Sequence, residues 1–197
     1  SRSDWSSDVC SSDLYGKVAM LIACKDVIDY EYSNYHCNLT IDNSVHLDAT
    51  LASSMNALSP GVFTTIKPLY RDGVYYFHFR NNQGLESKKQ FNAIDERLQS
   101  NLRVGMSNGL IVGFGNLDTP AHFYAYDLQC PNCFDIDALP QRNYELTVTG
   151  TGIATCKTCH RSYNLNTGGN IVSGERGKTM TRYRASTTGP NGVLHVY

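Results

Sequence analysis

Two short cysteine pairs constrain this chain more than anything else in it. Cys130-Pro131-Asn132-Cys133 and Cys156-Lys157-Thr158-Cys159 are C-x2-C turns with 22 residues between them. Each such turn can aim two thiolates at one point, and two of them supply four sulfurs in a tetrahedron. That is the donor set of structural zinc and of mononuclear iron. A fold that uses them together must bring two turns, far apart along the chain, to one place. The same spacing also fits cross-paired disulfides, Cys130 or Cys133 to Cys156 or Cys159, in an oxidising compartment.

The chain does not need such links merely to fold. At 197 residues it is long enough for one ordinary domain that buries roughly 70% of its unfolded surface. Charged residues make up 18% and the net charge is -1, which lacks the basic footprint of a nucleic-acid binder. No apolar run approaches the roughly 20 residues of a membrane-spanning helix. The 13 Tyr and 7 Phe among 41% hydrophobic residues argue for a sheet-rich fold with cross-strand aromatic packing.

The order of the chain agrees. Short β-type runs are broken by Gly, Pro, Asn and Asp: Gly61-Val62-Phe63-Thr64-Thr65-Ile66, Val74-Tyr75-Tyr76-Phe77-His78-Phe79 after Asp72-Gly73, and Leu110-Ile111-Val112-Gly113-Phe114 after Asn108-Gly109. His122-Phe123-Tyr124-Ala125-Tyr126 follows Thr119-Pro120, and Gly192-Val193-Leu194-His195-Val196-Tyr197 closes the chain. Helical turns are expected only over 93–100 and 49–57. The expected fold is all-β: one antiparallel sandwich or barrel with two cysteine-bearing loops.

The N-terminal region reads differently. Residues 1–14 hold six Ser, three Asp and the only Trp, with no apolar periodicity. They resemble the translation of a sequencing-library adapter, so Cys10 is set aside. Residues 15–24 read as the tail of an export signal, a basic Lys17 followed by the apolar run Val18-Ala19-Met20-Leu21-Ile22-Ala23. Leu21-Ile22-Ala23-Cys24 resembles the lipobox of bacterial lipoproteins, in which a small residue precedes the cysteine that takes the acyl chains. The implied product is anchored to a membrane through lipid on Cys24. Residues 25–36 read as a tether, and 37–197 as the β domain.

Within that domain, Tyr124-Ala125-Tyr126-Asp127-Leu128-Gln129-Cys130-Pro131 and Cys156-Lys157-Thr158-Cys159-His160-Arg161-Ser162-Tyr163-Asn164-Leu165-Asn166-Thr167-Gly168 resemble a Rieske-type domain, most closely over 123–197. In that family a strand leads into Cys-x-His, and a second loop reads Cys-x-x-His-Gly-Ser-x-Phe/Tyr. The resemblance implies a Rieske-like β fold, an iron–sulfur centre that passes single electrons to a partner protein, and a small lipoprotein of the Gram-negative envelope, on the outer membrane, cell surface or periplasmic side. This chain departs from the pattern where it matters. Asn132, with Cys133 beside it, and Cys159 stand where the family places its histidines, so the ordinary two-Cys, two-His cluster has no ligands. The implied site is all-sulfur: zinc, rubredoxin-like iron, or an all-cysteine [2Fe-2S] cluster on Cys130, Cys133, Cys156 and Cys159.

The remaining candidates carry less. His160 is read as beside the site or exposed, and Lys157 and Arg161 as charges that offset the thiolates or as solvated loop residues. Cys37, next to His36, is read as a free or half-buried thiol. His46, His78, His122 and His195 are read as ordinary surface or sheet residues. Asn38-Leu39-Thr40 fits a glycosylation acceptor, which a bacterial lipoprotein would not use. No strand-Gly-x-Ser-x-Gly elbow is present and no general acid–base set stands out, so an enzyme is the least favoured class. Two functions are expected: a metal-centre protein that transfers electrons if the metal is iron, or a redox-silent structural or binding lipoprotein tied by zinc or disulfides.

Overall fold

The computed structural model describes residues 31–197. The lipobox with Cys24, and residues 1–14, lie outside that range. No helix in it is long and apolar enough to cross a membrane.

Strand β2 (Phe63–Arg71) turns into β3 (Val74–Asn81), with Arg71 opposite Val74. The two-residue loop is Asp72-Gly73, at φ of 52° and 82°. Positive φ at both positions is what a hairpin turn matched to strand twist requires, and Asp-Gly supplies it. Pro68 sits inside β2, beyond Ile66 where pairing with β5 (Leu110–Phe114) ends, so its missing N–H breaks no ladder on that side. With β4 (Glu86–Gln90), β6 (Phe123–Asp127) and β11 (Arg182–Tyr183), these strands form a six-stranded sheet ordered β11-β6-β5-β2-β3-β4. All its pairings are antiparallel.

This sheet is the middle layer of the molecule. Alternate residues of a strand face opposite sides, and here both sides are covered. Leu110 and Val112 of β5, Ala125 of β6 and Ile66 of β2 belong to one buried cluster. It is shared with Leu39 and Ile41 of β1 (Leu39–Asp42), Leu194 and Val196 of β13 (Val193–Val196), and Leu51 of a short helix, α2 (Ala49–Ser54). Strands β1, β13 and β12 (Ala185–Thr187) make a separate three-stranded sheet. Ile111, Tyr124, Tyr126 and Phe63 face the other way, into a second cluster with Leu146, Ala154, Tyr163 and Leu165. That cluster is roofed by a four-stranded sheet, β10-β9-β8-β7, built from β7 (Leu146–Val148), β8 (Ile153–Cys156), β9 (Ser162–Asn164) and β10 (Asn170–Ser173). Coverage on both faces explains why β5 reads as an unbroken apolar run instead of alternating.

The all-β expectation therefore holds in its coarse form, as three antiparallel sheets; they do not close into a barrel. The helical turns fall at α2, capped by Asp48 accepting from Leu51 N at 2.8 Å, and at α3 (Ala93–Leu98). A third short helix, α1 (Asn43–His46), was not apparent from the sequence. It carries a correction: His46 is no ordinary surface or sheet histidine. Its Nε2 lies 2.9 Å from Asp95 Oδ2, and both side chains are only 4% exposed. At the near end of the expected tether, Tyr35 packs on the first cluster and Ser33 N–H donates to Arg182 O.

Candidate metal centre

The two cysteine turns meet at one end of the four-stranded sheet. Strand β6 runs through buried Leu128 and Gln129 into Cys130. Its exit is fixed by Asp127, whose carboxylate accepts from Met106 N, Gln129 N and the Tyr183 hydroxyl at 2.7, 2.8 and 2.7 Å. Gln129 Oε1 accepts from Tyr144 N at 2.6 Å, and Cys130 N–H donates to Tyr144 O at 2.9 Å. The turn then closes on itself: Cys133 N and Phe134 N both donate to Cys130 O, at 3.2 and 2.9 Å. The second turn caps the β8–β9 hairpin, with Cys156 N donating to Arg161 O and His160 N to Cys156 O, each at 3.0 Å. His160 takes the left-handed conformation, φ 58°, and is exposed.

All four sulfurs lie within 4.8 Å of one another. Cys130 Sγ is 3.6 Å from Cys159 Sγ, and Cys133 Sγ is 3.8 Å from Cys156 Sγ. These are free thiols, well beyond the roughly 2.05 Å of a disulfide bond. Four sulfurs around one ion at about 2.3 Å would sit roughly 3.8 Å apart along each edge of the tetrahedron. The donor set and its spacing thus fit a single tetrahedral metal ion.

Burial divides the four. Cys130 and Cys156 are sealed inside the second cluster, and Cys133 and Cys159 are half-buried at its rim. Burial pushes the Cys130 and Cys133 thiols above their ordinary range. Cys159 goes the other way, to about 6. There burial raises it, but the Arg161 backbone and guanidinium and the neighbouring thiols outweigh that effect. Arg161 is itself held in place by Glu175 O at 2.9 Å, Glu175 Oε2 at 3.2 Å and Arg176 O at 3.3 Å. Of the two loop cations expected near the site, Arg161 is the one that engages a thiol.

Tyr163, fully buried on β9, places its hydroxyl 3.4 Å from Cys130 Sγ. Asn132, inside the first turn, reaches that hydroxyl at 2.8 Å. In the sequence alone, Asn132 stands only where a Rieske-type histidine is missing and Tyr163 only as the aromatic residue of the second loop. Cys37 joins the other cluster, where its thiol donates to Arg103 O at 3.1 Å and burial raises it to about 11. No protein-family model, curated protein or solved structure matches this chain.

Proposed function

We propose that the chain is an exported, lipid-anchored Rieske-like protein in which Cys130, Cys133, Cys156 and Cys159 hold one tetrahedral metal ion, zinc or iron. The observation that carries the metal site is the convergence of four free sulfurs to within 4.8 Å from two turns 22 residues apart, while the Rieske-like assignment rests on the sequence resemblance over 123–197. The spacing weighs toward one ion over an all-cysteine two-iron cluster, because an Fe2S2 rhomb spreads its two thiolate pairs farther than a single tetrahedron does. The lipid anchor on Cys24 and placement in the bacterial envelope rest on the lipobox resemblance of Leu21-Ile22-Ala23-Cys24.

With iron, the site would pass single electrons to a partner protein, and its four thiolates would favour the oxidised state. With zinc it would be a structural tie in a redox-silent envelope protein. The burial of Cys130 and Cys156 within an apolar cluster supports that second reading. Metal analysis of the purified protein, together with its visible absorption, separates the two. About one iron per chain with thiolate-to-iron colour supports electron transfer, and about one zinc without colour supports the structural tie. Metal-free protein that takes up neither ion with its thiols reduced would overturn both.

A further inference from the structure

A three-residue polar relay sits against the most deeply buried sulfur, and its direction is fixed by the backbone. Asn132 Oδ1 accepts from Lys178 N at 2.8 Å, while Asn132 Nδ2 donates to Lys178 O at 2.7 Å. A backbone N–H only donates and a carbonyl only accepts, so the two contacts to one residue settle which end of the amide is oxygen. The same Nδ2 has a second hydrogen, and that hydrogen meets the Tyr163 hydroxyl oxygen at 2.8 Å. Tyr163 is fully buried. With its oxygen already accepting, its single proton turns to the remaining polar neighbour, Cys130 Sγ at 3.4 Å. The clamp also explains a glycine: a Cβ at Gly177 would collide with Asn132 Oδ1.

We propose that Asn132 is a positioning residue of the metal centre, fixing the Tyr163 hydroxyl as a hydrogen-bond donor to the Cys130 thiolate. This rests on the metal-site reading above. A hydrogen bond to a thiolate stabilises its charge in a buried setting and trims the electron density it gives to a metal. Asn132 thereby acts on the metal without touching it, from the position where a Rieske-type pattern would put a ligand.

The test is titration of the reduced protein with Co2+, followed through the thiolate-to-cobalt charge-transfer and d–d bands. Asn132→Leu and Tyr163→Phe are each expected to weaken Co2+ binding about 10- to 100-fold and to shift the charge-transfer band in the same direction. The double variant is expected to match the weaker single variant, because both changes remove one hydrogen bond. Should Asn132→Leu not fold, Asn132→Asp makes the same comparison. It keeps an acceptor for Lys178 N–H and loses the donor to Tyr163. Effects that add in the double variant, or Asn132 variants with wild-type band positions and affinity, would overturn the proposal while leaving the metal site standing. A wild-type protein that gives no four-thiolate cobalt spectrum would bring down the metal reading, and this role with it.

Discussion

Removing the metal should soften this protein without unfolding it. The sulfurs are already gathered, within 4.8 Å, by turns that close on their own backbone and by the β10-β9-β8-β7 ladder. The thiols beneath them are tolerated in protonated form, since burial holds Cys130 and Cys133 above their ordinary range. Chelated protein should therefore keep its far-UV sheet signal, unlike small zinc fingers that fold only with metal. Rebinding then stabilises by mass action. At free metal a thousand times the dissociation constant the gain is about 4 kcal/mol, and for a chain of this size that raises Tm by roughly 8 to 16 °C. Each further tenfold of free metal adds about 1.4 kcal/mol, or roughly 3 to 6 °C. Calorimetry across a buffered zinc series measures this slope, and Cys156→Ser should flatten it. Chelated protein with no sheet signal would refute the preformed site. A Tm indifferent to zinc would refute the site altogether.

Three further outcomes test the rest of the structure. Native apo protein should leave Cys37 unlabelled by iodoacetamide at pH 8 while Cys159, half-buried and with its thiol lowered to about 6, reacts. Any labelling of Cys37 should keep climbing about tenfold per pH unit to about 11, because its thiolate is suppressed until then; levelling near pH 9 would contradict the burial. His46→Leu leaves the Asp95 carboxylate buried with only the Asn92 N–H at 2.8 Å, and urea unfolding should show a loss of about 3 kcal/mol; a loss under about 1 kcal/mol would argue that the pair is solvated. Gly113→Ala places a methyl against Val62 O and 2.7 Å from Phe63 Cδ1, for an expected loss of about 1 to 3 kcal/mol or more. Gly150→Ala, whose nearest atom is 3.6 Å away, is the control, with an expected change within about 0.5 kcal/mol; equal effects at the two glycines would refute the close approach.

What was readable in the sequence followed from local periodicity. β2, β3, β5, β6 and β13 announce themselves through apolar runs bounded by Asp-Gly, Asn-Gly and Pro, and the cysteine turns through spacing alone. β4, Glu86-Ser87-Lys88-Lys89-Gln90, has no apolar face, because it is an edge strand whose charges discourage further pairing. β7 to β10 are short and rich in Thr, Ser and Asn, and they gain their identity only by roofing Phe63, Ile111 and Tyr126 of the six-stranded sheet. The aromatic excess does pack across strands as expected, with Tyr70 and Tyr75 ring centroids 4.5 Å apart. Partners far along the chain left no local trace. His46 finds Asp95 across 49 positions, and Asn132 finds Lys178 across 46. A lone histidine or asparagine in a polar stretch looks the same whether or not such a partner exists.

The central claim is a count of sulfurs at one ion, which X-ray absorption at the metal edge measures directly on the loaded protein. Four sulfur scatterers at about 2.3 Å, with no nitrogen shell and no second metal, is the expected result for zinc or single iron. A nitrogen or oxygen ligand in place of any sulfur, or a short metal–metal distance, would contradict a single ion held by Cys130, Cys133, Cys156 and Cys159.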